Sequence, residues 1–187
     1  EYGRDLLIQG DPSVDDLINV DLFSIAALGT DRAGLYGSGI GNEPKGLMNE
    51  TGVGTVDGAG LTWAKVVDFS KQVKQNNAMI GEMKWLMSPE VEALLLTRTK
   101  AGDYPVYLME GNRLNGHQGL VSNQVNSSDL IVGVWNQLMK LEWGTYEVLV
   151  NPYGVNSRAG MIEATIFVRC NYITRQSAAF TASNNVS

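Results

Sequence analysis

Cysteine and histidine are almost absent. Cys170 is the single cysteine and His117 the single histidine among 187 residues. One thiol cannot form an intrachain disulfide, and no cysteine-based metal site can be assembled from it. Apolar, strand-like neighbours place Cys170 in the interior as an inert thiol. His117 sits in Asn115-Gly116-His117-Gln118-Gly119, which reads as a turn. No third residue is suggested that would complete a Cys–His nucleophile. Charge is scarce as well. Charged residues make up 18% of the chain, below the usual quarter, and a surface so poor in charge is often covered by other protein. The net charge is −6, with no run of Lys or Arg and no basic face interleaved with aromatics. That excludes sequence-independent nucleic-acid binding, which rests on many cationic contacts to phosphate. An acidic surface is weakly repelled by packed DNA. No apolar run approaches the roughly 20 residues a membrane span needs, and no signal-peptide pattern opens the chain. The first residue is Glu1 rather than Met, so the sequence reads as a fragment or a processed product.

Hydrophobic residues make up 44%, enough for a packed core in one large domain or two small ones. Residues 1–12 are polar and carry Gly3, Gly10 and Pro12, an extended or loose lead-in. Ser13 before Val14-Asp15-Asp16 reads as an N-cap followed by first-turn acids. Val14, Leu17, Ile18, Leu22, Ile25, Leu28 and Leu35 recur at three and four, marking one apolar face of a helix over about 14–36. Such a helix is about 34 Å long. Leu22 is expected on its buried face. Gly29 and Gly34 are tolerable there if another backbone packs closely.

The pattern then breaks at Gly37-Ser38-Gly39-Ile40-Gly41-Asn42-Glu43-Pro44-Lys45-Gly46, which is irregular chain, and 47–60 stays Gly-rich with a short strand at Val53–Val56. Thr62 caps a second helix whose apolar positions are Trp63, Val66, Val67, Phe69, Val73 and Met79. Met83–Met87 reads as a strand. Ser88-Pro89-Glu90 starts a third helix, with proline at its first position, ending near Lys100-Ala101-Gly102. Strands follow at Val106–Met109, Gly119–Ser122, Leu130–Val134, Lys140–Trp143 and Tyr146–Val150. Met161 to Thr174 alternates with period two, a single strand of unusual length. The tail from Thr181 is polar and reads as frayed.

A search for chemistry returns little. A phosphate loop needs a strand before it and a helix after it. The glycines of 37–46 instead end a helix, and Gly46-Leu47 follows Lys45 where a Ser or Thr is required. Asp15/Asp16 and Glu90/Glu92 sit at helix starts, where they satisfy amides. Neighbouring acids also point to different sides of a helix, so they make no glycosidase pair. Asp103, Glu110 and Asp129 lie near turns without calcium-loop spacing. Trp63, Trp85, Trp135 and Trp143 are expected in the core. No catalytic, cofactor-binding or metal-binding residue is assigned.

The order of motifs is more telling. Asp31-Arg32-Ala33-Gly34-Leu35-Tyr36-Gly37-Ser38-Gly39 closes the long helix, and Gly41-Asn42-Glu43-Pro44-Lys45-Gly46-Leu47 follows. Trp85-Leu86-Met87-Ser88-Pro89, then Leu114 to Asn123, then Leu130 to Leu138, then Phe167 to Phe180 come in order. Together these resemble the major capsid proteins of tailed bacteriophages, the Hong Kong 97 type, over about residues 13–180. Asn136 departs from the acid common at its step, and Gln176 from the frequent proline. The resemblance implies an α+β fold with a long spine helix. It implies a peripheral domain of 1–57 and 158–187, an axial domain of 58–157, and absence of the N-terminal arm and extended loop.

It further implies a structural, non-enzymatic subunit of an icosahedral shell enclosing DNA. The subunit would lie in the virion, assemble in the bacterial host cytoplasm and use no cofactor. Its partners would be other copies in pentamers and hexamers, with scaffold, maturation protease and portal, and without specific nucleic acid or membrane. Some members of that family weld subunits by a Lys–Asn bond assisted by a buried Glu. Counted back from Arg175, those two positions fall near Ala159 and Ile166, so no cross-link is expected. An encapsulin-like compartment shares the fold. From another class, a hydrolase or carbohydrate-binding module remains as an alternative.

Overall fold

The computed structural model describes residues 1–9, 13–76, 81–102 and 104–187, with backbone alone at 7–9, 13–15 and 104. Met79, Asp103 and residues 10–12 of the expected lead-in lie outside these. Strand β1 (Tyr2–Gly3) and helices α1 (Arg4–Gln9) and α2 (Ser13–Tyr36) open the chain. Then come β2 (Gly54–Thr55), α3 (Trp63–Gln75), β3 (Met83–Met87), α4 (Pro89–Thr97), β4 (Thr99–Ala101) and β5 (Tyr104–Tyr107). β6 (Met109–Glu110), β7 (Arg113–Leu114), β8 (His117–Val121), β9 (Leu130–Val134) and β10 (Leu138–Glu142) follow. β11 (Glu147–Asn151), β12 (Met161–Phe167), β13 (Cys170–Thr174) and β14 (Phe180–Ser183) close it.

The chain forms two compact units: 1–31 with 141–171, called unit 1, and 32–140 with 172–187, called unit 2. The division differs from 1–57 and 158–187 against 58–157. Leu47 is buried in the core of unit 2, which takes the Gly-rich stretch out of the first segment. β11 pairs with β12 from Glu147↔Phe167 to Asn151↔Glu163, which carries it into unit 1.

Unit 2 is built on a seven-stranded mixed sheet in the order β2-β14-β9-β3-β8-β7-β6. β9 reads Leu-Ile-Val-Gly-Val and is buried throughout, as expected of a central strand covered on both faces. Phe69 meets Trp85 edge-on at 5.7 Å, and Trp135 meets Phe180 likewise at 5.5 Å. The buried Trp85 indole N–H donates to the Leu114 carbonyl at 2.8 Å. A Cβ on Gly133 would lie 2.1 Å from the Phe180 ring, so that ring position requires glycine. α4 starts as read from the sequence: Ser88 Oγ accepts from the Val91 N–H at 3.2 Å, with Pro89 at the first position. It stops at Thr97, short of Lys100, because β4 turns back to pair with β5.

Several sequence expectations are corrected. The polar tail is no frayed end: β14 lies between β2 and β9, and Thr181, Ala182 and Ser183 are buried. Its backbone groups are taken up by two neighbours, so small polar side chains suffice. The long final strand is two strands, since β12 pairs with β11 and β1 whereas β13 pairs with β10. Within the lead-in, Tyr2–Gly3 pairs with Ile162–Met161 and Arg4–Gln9 is helical. Cys170 is only partly buried, and His117 opens β8 instead of lying in a turn. Trp143 is 54% exposed, so it is not a core residue. The expected strands at 53–56, 106–109, 119–122, 140–143 and 146–150 shift by one or two residues.

Candidate assembly surface

α2 carries apolar residues on two opposite stripes, not one. At 100° per residue, Ile18, Leu22, Ala26 and Thr30 stack at intervals of four on one side. These are the positions the structure protects, Ala26 and Thr30 fully and Ile18 and Leu22 partly. Leu17, Val20 and Leu28 form the other stripe and are 62%, 61% and 50% exposed, and Ile25, 64% exposed, lies at the margin between the two. The single apolar face expected from the sequence merges the two. Leu22 lies on the protected side, but half-buried.

The rest of unit 1 repeats this imbalance. In β11, Leu149 and Val150 are exposed although they point to opposite faces of the ribbon. The turn between β11 and β12 holds Tyr153 at 85% and Val155 at 95% exposure. Phe23 meets Tyr146 edge-on at 5.7 Å, yet both stay exposed. Arg169 pairs with Glu147 at 2.8 Å on the surface. Among the described residues, every member of the buried apolar cluster belongs to unit 2. Among the residues of unit 1 whose side chains are described, Ala26, Thr30 and Ile162 alone are below a tenth exposed. Apolar faces this extensive mark a surface made to be covered.

The motif residues have a separate, structural task in unit 2. Tyr36 donates its hydroxyl proton to Asp129 Oδ2 at 2.5 Å and accepts from the Asn126 N–H at 2.9 Å. Burial first, then the Asp129 hydrogen bond, pushes the Tyr36 phenol well above its ordinary value. The Arg32 guanidinium lies 5.4 Å from the Tyr36 ring centre and reaches Gln124 O and Asn126 Oδ1. Asn49 Nδ2 donates to the Tyr36 and Gly37 carbonyls at 2.9 and 2.8 Å, satisfying the last turn of α2. The 31–37 motif and the turn after β8 are thus one lock. Sequence reading found these segments but not Asn49 or Asp129 as its members, because partners 13 and 93 residues away leave no local spacing signal.

Among the described residues no group of three His, Cys, Asp or Glu is placed to hold a metal. His117 belongs to unit 2 and Cys170 to unit 1. Burial and then the charge of Lys74 lower the His117 pKa, which keeps the imidazole neutral at pH 7. Of the two positions counted for a cross-link, Ala159 lies in a short 3-10 turn and Ile166 in β12. At the same seven-residue spacing, three residues upstream, stand Asn156 and Glu163. Asn156 Nδ2 meets the Glu1 carboxylate at 2.9 Å, and Glu163 stands against Gly154. The count from Arg175 is therefore no ground for expecting the cross-link to be absent. Among the described residues no helix is long and apolar enough to cross a membrane.

The profile described as the phage capsid family matches residues 2–184. The major capsid protein of Halomonas phage phiHAP-1 is 30% identical over 178 residues, covering 95% of this chain. The chain spans only 29% of that relative's length. A structure from Gordonia phage Cozz superposes with a TM-score of 0.71 at 13% identity, covering 100% of this chain and 68% of its own. An encapsulin complex from Synechococcus elongatus gives 0.66 at 16% identity, covering 100% and 71%. The fold is the Hong Kong 97 type expected from the motif order, and this chain belongs to the phage capsid family.

Proposed function

We propose that this chain is the shell-forming part of a major head subunit of a tailed phage or prophage, tiling an icosahedral shell around DNA. One observation carries the reading: unit 2 has a complete core, while unit 1 displays on its surface the apolar faces that a core would hide. Many copies repeating a few modest contacts make a stable container, because symmetry multiplies each contact. On this reading the role is structural, with no catalysis and no cofactor. Unit 1 would act as the peripheral domain and unit 2 as the axial domain. The partners are other copies in pentamers and hexamers, then scaffold, maturation protease and portal. The place is the virion, after assembly in the host cytoplasm. Neither a membrane nor specific nucleic-acid binding is involved. Electron microscopy of the full-length product tests this: uniform closed shells are expected, and a monodisperse monomer under assembly conditions would sink the reading.

A second reading is an encapsulin-like compartment. Its support is the near-equal superposition on the encapsulin complex, 0.66 against 0.71. Neighbouring genes separate the two. Portal, protease and terminase genes favour the phage head, and a cargo-enzyme gene favours the compartment.

A further inference from the structure

The outer stripe of α2 does not consist of apolar residues alone. Asp21 falls between Leu17 and Ile25 around the helix, and Asp31 lies beside Leu28. Both acids are exposed. Arg32 is the single basic residue of α2, and it is engaged with Gln124 and Asn126. The stripe is thus an apolar seam edged by negative charge.

The opposite pattern occurs on α3. Val67, Lys71 and Lys74 share one exposed side of that helix. With Ser70, Gln75 and Asn115 they line an open groove of about 440 Å³. Asp68 offsets part of this charge through a pair with Lys71 at 3.7 Å. A recess lined by Gly116, next in sequence to Asn115, adds Arg113 and Lys84, the latter 3.9 Å from the single acid Glu82. In a chain of net charge −6 this is a local excess of cations around a small apolar centre.

We propose that the outer stripe of α2 in one copy docks against the α3 face of a second copy. Leu17, Val20 and Ile25 would cover Val67 and the groove, and Asp21 would approach Lys71 and Lys74. The two surfaces differ, so the contact is heterologous, the type that propagates around a ring or a lattice. Complementary charge fixes register and suppresses wrong pairings. The inference rests on the shell reading.

The test is a charge exchange in the full-length protein, read by sedimentation and electron microscopy of assembled particles. Asp21→Lys, and separately Lys71→Glu with Lys74→Glu, are each expected to lower assembly about tenfold or more, as like charges come together. Carrying both exchanges in one chain is expected to restore it. If a reversed chain fails to fold, Asp21→Asn replaces it, with weaker loss expected. Particles from the parent and from both reversed chains alike overturn this contact and leave the shell reading standing. Loss without restoration in the combined chain also overturns it and assigns the stripe to another partner. Absence of particles from the parent overturns the shell reading and this inference with it.

Discussion

At Gly46, a Cβ would stand 2.4 Å from the Gly37 nitrogen, and at Gly37 one would stand 2.0 Å from the Pro44 carbonyl. The Gly46 N–H donates to Gly37 O at 2.8 Å, so two backbones meet with no room for a side chain. Gly46→Ala is therefore expected to destabilise unit 2 by about 1–3 kcal/mol, since the obstacle is backbone that cannot rotate away. A melting curve that matches the parent would show that the hairpin can yield. Tyr36→Phe removes the donor to Asp129, which is 3% exposed. A buried acceptor left short of a partner costs about 1–3 kcal/mol, and denaturant titration should read that loss. Asp57 behaves differently. The Ala59 N–H, then Asn185 and Lys65, hold its carboxyl at about 2. A carboxylate depressed below its ordinary 3.8 contributes above that pH and loses its contribution as pH falls toward 2. The clasp between Asp57 and the Asn185 side chain, 2.7 Å long, is expected intact at neutral pH and released across that acid window. Amide exchange at Gly58, which donates to Asn185 Oδ1, follows it, and the same pH response in Asp57→Asn would remove the assignment to this group.

Among the elements, α2 and β14 separate what sequence shows from what it hides. Deleting residues 180–187 is expected to unfold unit 2, because it withdraws an inner strand and the buried Phe180. A deletion that kept its cooperative transition would contradict the sheet order. Phe-Thr-Ala-Ser alternates over only four residues with one large apolar side chain, too short a pattern to report this strand. Its burial is set by neighbours 47 to 53 and 127 residues away in sequence. α2 was legible as a helix because Ser13, the first-turn acids and the spacing of three and four agree. Which side it buries was not legible, because two apolar stripes on opposite sides look alike to periodicity. The capped start of α4 was fully legible, since Ser88, Pro89 and Val91 are adjacent. The motif at 31–37 was readable as part of a family signature, while the tie of its Tyr36 to Asp129 needed the fold. Leu22→Asp, placed half-buried, is now expected to cost less than a fully interior charge would, and Leu17→Asp to cost little. Equal losses in the two melting curves would mean the stripes are assigned wrongly.

For the whole molecule, the two units differ in what stabilises them. Apolar burial contributes about 25 cal/mol per Å², so stability concentrates where side chains leave water. Among the described residues that place is unit 2, which holds Trp85, Phe69, Phe180 and the other cluster members. Unit 1 gains mainly backbone pairing, in β1-β12-β11, with most of its apolar side chains still wet. Local opening is easiest where buried apolar contacts are few. Native-state hydrogen exchange on the unassembled chain should therefore divide along the unit boundary. Amides of β3, β9 and β14 are expected to exchange last, only through global unfolding. Those of β11, β12 and the first turns of α2 are expected to exchange much sooner. In assembled particles the second set should gain protection far more than the first, because binding stabilises most what was least covered. Uniform protection in the free chain would show that unit 1 is stable alone, and the case for a surface made to be covered would fall with it.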